Sequence, residues 1–432
     1  MLEPQKDMME QLKSLKRLFD VGTTVTGIGA RLGAKEYLGV NVNDEIYAQK
    51  LRHAFGNLKG PFMKMAQFLA TIPDALPQEF AKEFLTLQSN APSMGEGFVR
   101  RRMAGELGSN WRNSFQEFSL QAAYAASLGQ VHQAFNKEGQ RLAVKLQYPD
   151  METAISADLR QVNMILGIYH SFNKSINTQD IVNEISDRLY EELDYVQEAE
   201  NMEYFRSILS HNLDFVEIPK VYPELSTQRL LTMQWLEGNS ILKYVDHEQS
   251  LRNDLGKKLF LAWYWPLYRF GLLHGDPHPG NYLVLNDKKI GLLDFGCIRK
   301  FEKTFLQAVI DLYVALRDNH RDLAVDAYKR WGFTNINNEL IDVLNQWAKL
   351  LYDPLLEDRV RPIQDSRGGK KGWEIARKVH KQLHELGGIK PPREFVFMDR
   401  AAVGIGSVLM HLGAEQNWHK LFEEIIAKDY VR

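Results

Sequence analysis

The chain has 432 residues, enough for two to three domain-sized units. Hydrophobic residues make up 44% and charged residues 25%, an ordinary globular balance, and a formal net charge of −2 gives no global field to gather nucleic acid. Cys297 is the single cysteine, which excludes an intramolecular disulfide and a Cys-based zinc site and fits a reducing compartment.

The first 20 residues, MLEPQKDMMEQLKSLKRLFD, lack the apolar core of a secretory signal, so the expected location is the cytoplasm or an equivalent reducing space. Segment 12–33 has a basic start and a small apolar body; it reads either as a packed helix or as an element that touches a membrane surface. Within it, GIGARLG at 27–33 follows no strand and is not a dinucleotide fingerprint. Segment 44–58 is polar and helical. Segment 60–70, GPFMKMAQFLA, repeats apolar residues on a helical period and ends before Pro73 and Pro77. Residues 1 to about 115 therefore read as a helical extension.

From about 116 the period shortens to that of strands. Runs 130–135 and 141–147 are β-rich, and the Asn-Lys-Glu-Gly turn at 136–139 makes them a hairpin. Two helices are expected at about 151–172 and 178–209, the second capped by Asn177 or Thr178. Strand-like runs follow at 215–219 and 229–236, and Glu237-Gly238 breaks the pattern at a hinge near 234–238. The rest, 237–432, reads as a helical lobe apart from 282–293, where YLVL and KIGLL flank Asn286-Asp287. The most apolar stretch, 259–273, is too short for a membrane span and contains Pro266 and Arg269. A basic stretch with Arg359, Arg361, Arg367, Lys370, Lys371, Arg377 and Lys378 reads as a solvated face, with phosphate or lipid headgroups as the functional alternative.

The chemistry concentrates in HGDPHPGN at 274–281 and LLDFG at 292–296. Phosphoryl transfer asks a protein for metal ligands on the phosphates, a cation beside them and a carboxylate near the attacking hydroxyl. Asp276 and Asn281 are separated by four residues and Asp294 follows 13 residues later across a predicted hairpin, the kinase spacing. The hairpin presents Asn281 and Asp294 to the same Mg²⁺, and Asp276 faces the acceptor. His274 braces the loop rather than joining His278 as a metal pair. Lys145 lies in an apolar strand, RLAVKLQ, where a cation must find an anion. Its partner is sought in YEELDYVQEAEN, among Glu192, Asp194 and Glu198; such an acidic run is by itself more often a solvated face. The alanine-rich segment 122–130 stands where protein kinases place a glycine loop over the phosphates, and each methyl limits how closely backbone and phosphate approach.

Taken together, the helix with Lys64 and Gln67, the AAS-LGQV loop, VKLQ, ExDYxxEAxN, HGDPHPGN and DFG resemble the UbiB/AarF atypical kinase family, over at least 55–300. The resemblance implies an α+β, two-lobed protein-kinase-like fold with a family-specific helical N-terminal extension: 1–115 the extension, 116–236 an N-lobe with a long helical insert, 237–432 a helical C-lobe. It implies ATP or ADP and Mg²⁺ as cofactors. Lys145 becomes the nucleotide lysine and Glu198 its partner, Asp276 the catalytic aspartate, and Asn281 and Asp294 the metal ligands. Ala125, Ala126 and Ser127 cover the phosphates, and Met233, Gln234 and Leu236 form the hinge that meets the nucleotide. Lys64, Gln67, Glu192 and Asp194 become the regulatory set of the extension. Ala66 replaces the glycine of the family's KxGQ motif, and Tyr124 replaces an alanine that often opens the loop.

The implied activity is that of an atypical Mg-ATP-dependent enzyme, an ATPase or a small-molecule- or lipid-directed phosphotransferase supporting ubiquinone biosynthesis. The alternatives are an antibiotic-phosphotransferase-like small-molecule kinase, a conventional protein kinase and a nucleotide-binding pseudokinase scaffold. Against a conventional protein kinase, CIRKFEKTF leads straight from DFG into an apolar-periodic helix with no A-P-E segment. Expected partners are the nucleotide and, at the next level, a quinone precursor, a lipid surface or quinone-biosynthesis proteins. Nucleic acid and a transmembrane span are not expected, so any membrane contact is peripheral.

Overall fold

A computed structural model describes residues 61, 65, 93–126, 128–172, 178–333, 336–364, 382 and 393–427. Expectations for Lys64, Ala66, Gln67, Ser127 and Asn177, and for segments 12–33 and 44–58, lie outside these residues. The chain divides into two compact units: one runs to Tyr195 and includes Pro223–Thr232, the other comprises Val196–Tyr222 and Met233–Arg432.

In the first unit, helix α1 (Glu96–Leu107) leads through a short 3-10 turn to strands β1 (Glu117–Ala125), β2 (Gly129–Phe135) and β3 (Arg141–Gln147). With β5 (Leu230–Gln234) they form a sheet of order β1-β2-β3-β5. The β2–β3 hairpin closes where the sequence places it. Asn136 Nδ2 donates to Gln140 Oε1 at 2.7 Å, the Gln140 N–H donates back to Asn136 Oδ1 at 2.7 Å, and Gly139 takes a φ of 77°. Leu142, Val144 and Leu146 on one face of β3 are buried, and so is Ala143 on the other, as befits an interior strand. Helices α2 (Met151–Phe172) and α3 (Thr178–Glu191) follow.

The single helix expected over 178–209 is two. Helix α3 stops at Glu191, residues 192–194 turn, and α4 runs Tyr195–Asn212. At the break the Leu193 N–H turns back to the Tyr190 carbonyl at 3.1 Å, and the buried Gln147 Nε2 donates to the Leu193 carbonyl at 2.9 Å.

The second unit carries β4 (Val216–Glu217), β6 (Gly238–Ser240), α5 (Gln249–Phe270), β7 (Leu272–His274), β8 (Tyr282–Leu285), β9 (Ile290–Leu292), β10 (Ile298–Lys300), α6 (Lys303–Arg317), α7 (Arg321–Arg330), α8 (Asn338–Leu356), β11 (Arg361–Pro362), α9 (Arg393–Leu412), β12 (Glu415–Gln416) and α10 (Trp418–Ala427). One sheet has the order β4-β9-β8-β6, and β7 pairs with β10 and β11 with β12. The expected runs 215–219 and 229–236 shrink to β4 and β5. Strands β6, β7, β10, β11 and β12 fall in sequence read as helical, because strands of two or three residues carry no period. Helix α5 buries Leu255, Leu259, Trp263 and Leu267 on one face, and Phe260 packs on Trp418 of α10 at 5.2 Å. Gly271 ends α5 in the left-handed region, its N–H returning to the Leu267 carbonyl.

No helix among the described residues is long and apolar enough to cross a membrane. The basic stretch is not a uniformly solvated face. Arg361 is only 5% exposed and is held by Asp353 at 2.7 Å and Glu357 at 3.0 Å; Arg367 to Lys378 lie outside the described residues.

Candidate active site

The HGDPHPGN loop begins at the end of β7, which β10 pins: His274 stands opposite Ile298, and the Gly275 N–H donates to the Cys297 carbonyl at 2.8 Å. The loop then closes on itself. The His278 N–H donates to the Asp276 carbonyl at 2.8 Å and the Asn281 N–H to the His278 carbonyl at 2.9 Å. Asn281 Nδ2 donates to the Asp276 carbonyl at 3.0 Å and reaches Asp276 Oδ2 at 3.4 Å. One amide thus fixes both the main chain and the carboxylate of Asp276, which leaves Asn281 Oδ1 as the oxygen available to a cation. His278 is exposed and spends Nδ1 on the Gly280 N–H at 3.1 Å.

Asn281 and Asp294 sit at the two ends of the β8–β9 hairpin, as their spacing implies. Tyr282 pairs with Leu292, and the Leu293 N–H donates to the Asn281 carbonyl at 3.1 Å. The turn is longer than the Asn286-Asp287 pair expected. Residues 286–289 close it, Lys288 takes a φ of 61°, and Asp287 Oδ1 accepts the Lys289 N–H. Asp294 Oδ1 accepts the Gly296 N–H at 3.0 Å, which sets the rotation of that carboxylate. His274 braces the assembly: it is buried, and its Nε2 bonds the Asp294 carbonyl. Burial, with the negative charge of Asp276 beside it, holds the Tyr282 phenol far above its ordinary range, so it stays protonated.

Three residues that the sequence reading gave no role complete this arrangement. Phe295 is fully buried and meets Phe205 of α4 edge-on at 5.4 Å and the His274 ring at 5.6 Å. Asn201 of α4 donates from Nδ2 to the Phe295 carbonyl at 3.0 Å. Trp263 of α5 donates from Nε1 to the His274 carbonyl at 3.1 Å. Their sequence signals are faint: Asn201 closes the acidic run YEELDYVQEAEN, and Trp263 lies in the apolar stretch 259–273.

Within the first unit, Lys145 is half-buried on β3 with Nζ 4.9 Å from the Tyr195 ring centroid, a cation–π contact. The alanine-rich segment is mostly strand: Ala122 to Ala125 belong to β1, with irregular register at Ala122 and Tyr124, and Tyr124 is 64% exposed. Ala126 donates its N–H to the Gly129 carbonyl at 2.8 Å. Gly129 itself admits no side chain, since a Cβ would lie 2.4 Å from the Leu146 carbonyl oxygen and 2.9 Å from the Tyr195 hydroxyl. Glu192, half-buried, and Asp194, exposed, lie in the turn between α3 and α4.

Glu198 belongs to the second unit and is 2% exposed. At the expected hinge, Met233 and Leu236 are buried, the Gln234 N–H already donates to the Lys220 carbonyl at 2.8 Å, and Leu236 packs against Gly291 of β9.

A four-stranded sheet bearing a half-buried lysine, and a helical unit presenting an HGD-x₄-N loop, a hairpin and DFG, define a kinase-like α+β protein. The chain belongs to the ABC1 atypical kinase-like domain family, which matches residues 86–327 and is the UbiB/AarF family its motifs resemble. It is 28% identical over 444 residues to the atypical kinase COQ8, mitochondrial, of Saccharomyces cerevisiae, covering 98% of this chain and 88% of that one. It is 31% identical over 334 residues to the protein ACTIVITY OF BC1 COMPLEX KINASE 3, chloroplastic, of Arabidopsis thaliana, covering 75% of this chain and 46% of the plant protein. Among solved structures it is similar to the Rv3197–erythromycin complex of Mycobacterium tuberculosis. That match has a TM-score of 0.60 at 27% identity and covers 89% of this chain and 98% of that one.

Proposed function

We propose that this chain is an atypical kinase-like enzyme that binds Mg-ATP and transfers or releases its γ-phosphoryl group in support of quinone biosynthesis. One observation carries the reading: the Asn281 side chain is bonded to the Asp276 main chain and reaches its carboxylate, so the loop holds the two residues together. Asn281 Oδ1 and the Asp294 carboxylate are hard oxygen donors, which fits Mg²⁺. Among the described residues no cluster of three His, Cys, Asp or Glu forms a metal cage, so nucleotide phosphate oxygens would complete the coordination. When bound there, the metal neutralises charge on the phosphates.

The protein's own part is positioning. Lys145 supplies a cation for the phosphates, and Glu198 holds that lysine. Ala125, Ala126 and Ser127 cover the phosphates, and Met233, Gln234 and Leu236 receive the base. Asp276 accepts the proton of the attacking hydroxyl as the acceptor oxygen bonds the γ-phosphorus and the bond to the β-γ bridging oxygen breaks, releasing ADP. Water, a lipid or a small phenolic molecule can serve as acceptor. Lys64, Gln67, Glu192 and Asp194 regulate access, and contact with a membrane is peripheral.

A second reading, a kinase acting on an antibiotic, has one observation in its favour: the solved relative is a complex with erythromycin. Phosphate release from Mg-ATP separates the readings, measured alone, with anionic vesicles, with a phenolic quinone precursor and with a macrolide. The expected result is Asp276-dependent turnover raised by the vesicles or the phenol. Stimulation by the macrolide alone would favour the second reading. Nucleotide binding without turnover, unaltered by Asp276→Asn, would leave only a scaffold.

A further inference from the structure

Helix α9 (Arg393–Leu412) lies beyond the residues 86–327 that match the kinase family, yet it reaches the catalytic loop. Its buried residues Phe397, Ala401 and Val408 recur on one face, and Gly404 falls in the same row. Phe397 meets Arg299 of β10, the strand that pins β7, with the guanidinium 5.2 Å from the ring centroid. Two helical turns further on, the backbone of Gly404 lies against the Pro277 ring. A Cβ there would stand 2.5 Å from Pro277 Cγ and 3.5 Å from Cδ. Real Cβ atoms do not approach that closely, and a proline ring cannot swing aside as a flexible side chain can. Glycine is also a poor helix former, so propensity does not explain it at this position. Gly406, two residues on in the same helix, has open space where its Cβ would be.

We propose that Gly404 is a positioning residue: the bare α9 backbone is the wall against which Pro277 rests, and it sets where Asp276 stands relative to the acceptor. Pro277 follows Asp276 directly, and the Asp276 carbonyl holds both the His278 N–H and Asn281 Nδ2. A ring pushed outward by a methyl therefore drags the carbonyl, and with it the carboxylate and Asn281, as one body. The inference deepens the proposed phosphoryl-transfer function and rests on it.

The test compares Gly404→Ala with Gly406→Ala in the full chain, since both gain the same helix propensity and only one meets a ring. In Gly404→Ala, amide hydrogen exchange at His278 and Asn281 should accelerate, and kcat for ATP should fall on the order of tenfold or more, because small misplacements at a reacting centre are costly. MgADP affinity, which Asn281 shares with Asp294, should fall by less than kcat does, a split that general destabilisation would not give. Gly406→Ala should match wild type in all three. On a Pro277→Ala background, where the ring is gone, adding Gly404→Ala should produce no further change. If Gly404→Ala lowers stability, the comparison is made on that background: exchange in the double variant equal to that of Pro277→Ala supports the contact, and further acceleration overturns it. Gly404→Ala behaving as Gly406→Ala would overturn it as well. Wild type without Asp276-dependent turnover would refute the proposed function, and the exchange measurement would still decide the role of Gly404.

Discussion

Two side chains show how much a residue's surroundings decide. Asp294 has Oδ1 tied to the Gly296 N–H, which fixes the rotation of its carboxylate. Asp294→Asn keeps the shape and removes the charge. Calorimetric titration should show the Mg²⁺-dependent gain in ADP affinity falling on the order of tenfold, with metal-free ADP binding unchanged. An undiminished gain would remove Asp294 from the metal site. His132 is a structural counterpart on β2. It is buried, stacks on Phe118, and shares hydrogen bonds with the Ser119 carbonyl and Gln130 Nε2, both at 2.8 Å. Burial is the main cause that lowers its pKa below the ordinary value of 6.5. The folded state therefore prefers the neutral ring, and the unfolded chain takes up the proton first as pH falls. Stability is full above that ordinary value and declines as pH drops through it. Denaturant midpoints measured between about pH 7.5 and about pH 5 should show this slope in the wild type and lose it in His132→Gln.

Helix α4 ties the second unit's chemistry to its packing. Asn201 and Phe205, one turn apart, hold the carbonyl and the ring of Phe295. Asn201→Ala leaves that carbonyl without its donor and should cost about 1–3 kcal/mol in denaturant unfolding. It should also slow ATP turnover by more than it weakens ADP binding, because Phe295 follows Asp294 directly. Unchanged stability and kcat would show that α4 merely covers the segment. The elements that periodicity exposes were legible in the sequence: the β2–β3 hairpin, the β8–β9 hairpin and helices α2 and α6. The break at 192–194 was not: it falls where Gln147, distant in sequence, donates to the Leu193 carbonyl, a contact that no local period announces. Nor was β10, whose three residues are strand only because β7 lies beside them.

Across the whole chain, the loop residues Asp276, Asn281 and Asp294 were readable as candidates because the proposed metal and phosphate chemistry asks for these residue types at this spacing. Their supports were not: Trp263, Asn201 and Gly404 are ordinary residues whose importance comes from what they touch. The segment after DFG supports the proposed non-peptide acceptor. Ile298 to Lys300 pair at once with β7, and α6 begins at Lys303, leaving no length for a long activation loop. An unrelated protein such as a denatured casein should therefore receive no label from ATP beyond that seen with Asp276→Asn; robust Asp276-dependent labelling would contradict this.

The central claim is that Asp276 works on an ATP-derived phosphoryl group. It is tested most directly by a single-turnover reaction with γ-labelled ATP and enzyme in excess, following label into free phosphate or an acceptor. The account predicts decay of labelled ATP in the wild type and a loss of about 100-fold or more in rate with Asp276→Asn, at unchanged MgADP affinity. Equal rates in the two proteins would contradict it.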